Sequence, residues 1–75
     1  MDMRISMAET IGQRIKLVRG GMKSEDFARE IGIHKNTLNG YERGEHLPNS
    51  RVIQAICSKF GVTPEWLLFG EGPMK

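Results

Sequence analysis

Apolar residues recur along this chain at helical spacing, three or four positions apart, in short runs divided by glycines. Ile11, Ile15 and Val18, with Leu17 beside them, mark a first helix. Ser6 followed by Glu9 fits a capping box at its start, and Gly20-Gly21 ends it where glycine tolerates a left-handed turn. Residues 1–5 precede the cap without pattern and read as a mobile arm. Ser24 caps a second, short helix through Glu30 or Ile31, with Glu25 and Asp26 in the first turn where the helix dipole favours negative charge. Phe27, Ala28 and Ile31 form its buried stripe, and Gly32 stops it.

A third helix is expected to start within a residue or two of Ile33 and to run to about Arg43, closed by Gly44. Asn49 caps a fourth, whose residues Val52, Ile53, Ile56, Cys57 and Phe60 share one face before Gly61. Thr63 with Pro64 at the first helical position opens a fifth, "PEWLLF", closed by Gly70. No segment alternates strictly enough for a strand, so the pattern predicts an all-α fold. The expected organisation is an arm (1–5), one helical domain (6–70) and a tail or start of a linker (71–75).

The stretch "GIHKNTLNGYERG" is unusually polar for the centre of such a domain. On a wheel at about 100° per residue, Leu38 and Tyr41 point one way while Asn36, Asn39, Gly40 and Arg43 point the other. Lys35 and Thr37 lie on the first turn, where side chains project past the helix end. The segment reads as a docked helix with a hydrogen-bonding outer face. Ala28 permits close helix contact, Gly32 makes a tight turn, and Ile33, Leu38 and Tyr41 anchor a short helix crossing a second one.

With those residues in hand, "FAREIGIHKNTLNGYERG" resembles the Cro and phage-repressor helix-turn-helix family, also called the XRE family. "IGQRIKLVR" is similar to that family's first helix, and "LP" with "IQAICSKFGVTPEWLLFGEGP" to its fourth and fifth, so residues 10–73 are covered. The resemblance implies a compact five-helix, lambda-repressor-like domain with a central helix-turn-helix. It further implies a transcriptional regulator of phage or prophage repressor type that binds double-stranded DNA sequence-specifically. Helix three would lie in the major groove and helix two would bridge the backbone. The expected partner is a pseudo-palindromic operator bound by a homodimer.

Chemistry assigns tasks to the outer face. Lys35 can donate to guanine O6 and N7, Asn36 or Asn39 can pair bidentately with adenine, and the Thr37 methyl can touch a thymine methyl. Gly40 offers no side chain, which either lets the helix approach the bases or simply weakens it. Where the family usually presents a glutamine to the phosphate backbone, this chain has Ser24; its hydroxyl and nearby backbone amides can still bind phosphate. Arg43 and Asn49 match positions that approach phosphates in relatives, and Lys23 is a candidate beside them. Arg19 is similar to the family's internal partner for Glu42, a structural pair expected to contribute ~1 kcal/mol, or somewhat more if partly buried. The "GGMK" connection looks shorter than the family's commonest form, which leaves the path between helices one and two open.

Composition changes this picture little. The 75 residues suffice for one domain, and a net charge of +2 permits an anionic partner without demanding one. One cysteine excludes an internal disulfide, and Cys57 with His34 and His46 cannot fill a structural zinc site, so no metal or cofactor is expected. Cys57 sits on the stripe of Ile53, Ile56 and Phe60 and reads as a small core residue. His34 caps helix three weakly, touches phosphate or is simply solvated, and His46 falls in a polar turn. No acid, base and nucleophile cluster together, so no enzymatic activity is expected. The longest apolar run, Trp66 to Phe69, is too short for a membrane, and no signal peptide is evident; a soluble, cytoplasmic protein without membrane or small-molecule partner follows. Trp66 and one leucine cap the core, while Leu68 and Phe69 are candidates for a dimer contact or for the core. The ending resembles the point at which phage repressors leave their DNA-binding domain for a linker, whereas short Cro-like regulators end near the same place. An antitoxin that binds both a toxin and its own operator is the alternative reading.

Overall fold

The computed structural model describes residues 10–75. Five helices follow in order, α1 (Ile11–Arg19), α2 (Ser24–Glu30), α3 (Lys35–Glu42), α4 (Ser50–Phe60) and α5 (Pro64–Phe69), and the described residues contain no strand. Two starts differ from expectation. The capping box of α1 is built by Thr10 and Gln13, each side chain bonded to the other's backbone N–H at 3.1 Å. Ser6, Glu9 and the arm lie outside the described residues. At α2 the cap residue is Lys23, without a side-chain bond, and Ser24 is the first helical residue. Lys23 accepts both the Asp26 and the Phe27 amide through its carbonyl, so the backbone alone closes the first turn.

The other termini follow the local chemistry of the sequence. Asn49 accepts from the Val52 amide, Thr63 accepts from the Trp66 amide with Pro64 behind it, and Gly61 and Gly70 adopt left-handed backbone after α4 and α5. The turn between α2 and α3 is a Schellman motif: the Gly32 amide donates to Arg29 O at 3.2 Å and the Ile33 amide to Ala28 O at 2.9 Å. This geometry needs positive φ at Gly32, which is +78°.

Ile15, Phe27, Leu38, Ile56 and Leu67 are fully buried and form the centre of the core, one from each helix. The Phe27 and Phe60 rings stack at 4.7 Å between α2 and α4. Helix α3 packs on both α1 and α2, and α5 on both α1 and α4. Gly12 sets the first of these contacts, because a Cβ there would run into the Tyr41 carbonyl oxygen. The backbones of α1 and the end of α3 therefore touch directly.

Three further ties depend on tertiary proximity. Arg14 is only 5 % exposed, and its guanidinium donates to Leu67 O at 2.8 Å and Leu68 O at 3.0 Å, which fastens α5 to α1. Across the short α1–α2 connection, Arg19 Nη1 donates to Met22 O at 2.9 Å, so the same side chain that reaches α3 also holds this turn. The tail returns to the domain: Thr63 donates through its amide to Met74 O and through its hydroxyl to Pro73 O, both at 2.8 Å, and Met74 packs against the core.

Candidate nucleic-acid interface

Helix α3 is anchored by buried Leu38 and Tyr41, which leaves Lys35, Asn36 and Thr37 exposed on its first turn. Among the described residues none of these three side chains makes a hydrogen bond or ion pair, and all are free to meet a ligand. His34 caps the helix: its Nδ1 accepts from the Asn36 amide at 3.0 Å. That bond assigns the ring proton to Nε2, so His34 presents a donor beside Lys35 and Asn36. Glu25 and Arg29 of α2 line the same open cleft.

The remaining expected base contacts divide. Asn39 is half-buried at the edge of the face. Gly40 is buried and does not belong to the outer face; a Cβ built on it would come within 2.8 Å of His46 Cδ2. The His46 ring thus covers the place where a side chain at position 40 would project. Wheel angles alone could not reveal this, because the covering residue comes from the turn that follows the helix.

Among the expected phosphate contacts, Lys23 is exposed at the start of α2 and Ser24 is half-buried beside it. Asn49 spends its Oδ1 on the α4 cap, which leaves its amide N–H free to donate outward. Arg43 is engaged within the chain: Nε donates to Glu45 Oε2 at 3.1 Å and Nη2 to Glu45 Oε1 at 3.3 Å. Sequence reasoning missed Glu45, and the "RGE" spacing could have suggested it only once Gly44 was known to reverse the chain.

Arg19 and Glu42 form a two-bond pair, Nε to Oε2 at 2.8 Å and Nη2 to Oε1 at 3.0 Å. Their side chains are 16 % and 9 % exposed. The hydrogen bond to Glu42 raises the Arg19 pKa above its ordinary value, while burial works against that shift. The acidic end of α3 is thereby neutralised from within. Leu68 packs against the core, but Phe69 is 68 % exposed, so the pair expected at a dimer contact separates into one core-facing and one solvent-facing residue. Cys57 is half-buried against the core, and burial, followed by the charge of Glu65, raises its thiol pKa. Among the described residues no group of His, Cys, Asp and Glu is placed to hold a metal ion, and no helix is long and apolar enough to cross a membrane.

A short, tightly turned helix pair presenting one polar face defines the class, and the chain belongs to the helix-turn-helix family, whose model matches residues 13–67. It is 37 % identical over 68 residues to the repressor protein CI of Enterobacteria phage phi80. It is 38 % identical over 55 residues to the antitoxin PezA of Streptococcus pneumoniae, and 30 % identical over 64 residues to the HTH-type transcriptional regulator DicA of Escherichia coli. These matches take in 88 %, 71 % and 83 % of this chain, but only 28 %, 35 % and 47 % of the respective relatives. The chain therefore spans less than half the length of each. The fold matches the P22 c2 repressor protein in complex with a synthetic operator, with a TM-score of 0.76 at 23 % identity over 83 % of this chain and 97 % of that one. The solution structure of the P22 c2 DNA-binding domain matches with a TM-score of 0.75 at 20 % identity, covering 91 % of this chain and 90 % of that one.

Proposed function

We propose that this chain is a DNA-binding regulator of the phage-repressor type, which reads duplex DNA with α3 in the major groove and holds the backbone with α2 and its neighbours. One observation carries the reading. Leu38 and Tyr41 bury one side of α3 while the exposed first turn offers Lys35, Asn36 and Thr37 with no side-chain partner among the described residues. Those groups match the base edges they would meet: a cation for guanine, a carboxamide for adenine and a methyl for thymine. Similarity to a phage CI repressor supports it, as does a fold shared with a repressor whose structure includes operator DNA.

The operator is pseudo-palindromic and occupied by two copies, whose reading helices stand about one helical turn, ~34 Å, apart. Similarity to the antitoxin PezA favours a second reading, in which the same domain also binds a toxin. A small toxin gene beside this one would support that reading. Selection of bound sequences from a random duplex pool tests the first. Recovery of a two-fold site with half-sites about one turn apart is expected, and recovery of no preferred sequence at any salt concentration would rule the regulator out.

A further inference from the structure

We propose that Glu45 is a specificity residue that keeps Arg43 neutralised until the reading helix is docked, and so suppresses binding to unspecific duplex. The proposal rests on the DNA-binding reading above and deepens it. Helix α3 ends in a Schellman motif: the Gly44 amide donates to Tyr41 O at 3.1 Å and the Glu45 amide to Gly40 O at 2.9 Å. Gly44 supplies the positive φ, +80°, that this reversal requires. The backbone of Glu45 is therefore fixed at the end of the reading helix, and its carboxylate meets the Arg43 fork through both oxygens, at 3.1 and 3.3 Å.

The two acids that close α3 differ in a way that matters. Glu42 is 9 % exposed and matched by Arg19, so it presents no net charge to DNA. The Arg43–Glu45 pair is open to solvent, at 64 % and 53 % exposure, so a phosphate can displace the carboxylate from Arg43. The Schellman turn holds only the backbone of Glu45, and its exposed carboxylate is free to turn out into water once phosphate takes its partner.

In loose complexes, held by general attraction to the backbone, Arg43 stays with Glu45 and contributes no net charge. Where Lys35, Asn36 and Thr37 find matching bases, the helix sits deep enough for Arg43 to exchange its partner. Glu45 thus lowers affinity for random duplex more than for a matched site. It raises the ratio between them without touching a base.

Glu45→Gln tests this, because the amide keeps the side-chain length and the backbone turn while removing the charge. Affinity of wild type and variant is measured for random duplex and for the selected duplex across a range of salt. For random duplex, one unmasked cation steepens the slope of log affinity against log salt by about 0.9 and strengthens binding roughly eightfold near 0.1 M salt. The selected duplex gains less, so the ratio falls. In an Arg43→Ala background the same substitution has a smaller effect, since no cation is left to unmask. An unchanged random-duplex slope for Glu45→Gln overturns the proposal, as does an equal gain on both duplexes or an undiminished effect in the Arg43→Ala background. Failure of the DNA-binding reading shows itself separately, in a wild-type chain that binds neither duplex.

Discussion

Arg19 on α1 and Glu42 on α3 face each other through two parallel bonds of 2.8 and 3.0 Å, and the same guanidinium donates to Met22 O on the connection between α1 and α2. One side chain thus joins the first helix, the helix-turn-helix entrance and the end of α3. Since Glu42 is nearly buried, loss of its partner strands a charge in a poorly solvated place. Arg19→Met is expected to destabilise the fold by ~2 to 3 kcal/mol, below the full penalty of a completely buried pair. Arg19→Met with Glu42→Leu should recover much of the loss. Thermal melts of the single and double variants measure both; equal melting temperatures for the two would contradict the assignment. Because the Arg19 pKa is raised, its contribution to stability is fully present below the ordinary arginine pKa and is lost as pH climbs through the elevated one.

Gly12 permits the direct contact of α1 with the end of α3. Gly12→Ala places a methyl against the Tyr41 carbonyl, and backbone on both sides leaves nothing flexible to yield. A loss of ~1 to 3 kcal/mol is expected despite the better helix propensity of alanine. Denaturant titration reads it directly. Gly40→Ala makes the contrast: its closest neighbour is the exposed His46 ring, with Glu45 Oε1 at an ordinary 3.8 Å, and since both are side chains that can swing away stability should change little.

Base reading and backbone holding should separate on α3. Asn36→Ala is expected to weaken binding to the preferred site by ~1 to 3 kcal/mol and to relax preference at one base position. Arg43→Ala should weaken matched sites with a change in salt slope but no change in base preference. Titration on the selected duplex and on its single-base variants tells them apart. A uniform loss for Asn36→Ala would remove it from the reading surface.

Leu68 and Phe69 offer a test of assembly. Leu68→Glu should destabilise the isolated domain by ~1.5 to 3 kcal/mol, because Leu68 packs against the core. Phe69→Glu should leave the melting temperature nearly unchanged, given its exposure, and weaken cooperative occupation of the two half-sites. Unchanged cooperativity would place the dimer contact elsewhere.

Cys57 carries the pH prediction. Its thiol pKa in the folded chain is raised, by burial first and Glu65 second, above the ordinary 9.0. The unfolded chain then releases the thiol proton at a lower pH than the folded one, so this contribution to stability is complete below about 9 and declines as pH rises from there. Alkylation at pH 8 should be slower for native than for unfolded protein, and Cys57→Ser should flatten the alkaline decline. Equal alkylation rates in both states would refute the shift.

Much of this protein is local in origin. Asn49, Thr63 with Pro64, Gly32, Gly44 and Gly61 act through bonds or dihedral angles within a few residues of themselves, and periodicity places Phe27, Leu38 and Ile56 inside by the same short-range logic. The resemblance of the central segment then made a helix-turn-helix legible, along with the Arg19–Glu42 pair.

Tertiary structure decided the rest, wherever two groups compete for one role or meet across the chain. Arg14 looks like a surface cation until α5 brings the Leu67 and Leu68 carbonyls to it. Gly40 points outward on a wheel yet lies under His46, and Arg43 looks free yet holds Glu45, because Gly44 turns the chain back over the helix it has just left. A sequence records which bonds each residue is able to make; which of them it makes depends on what the folded chain brings within about 3 Å.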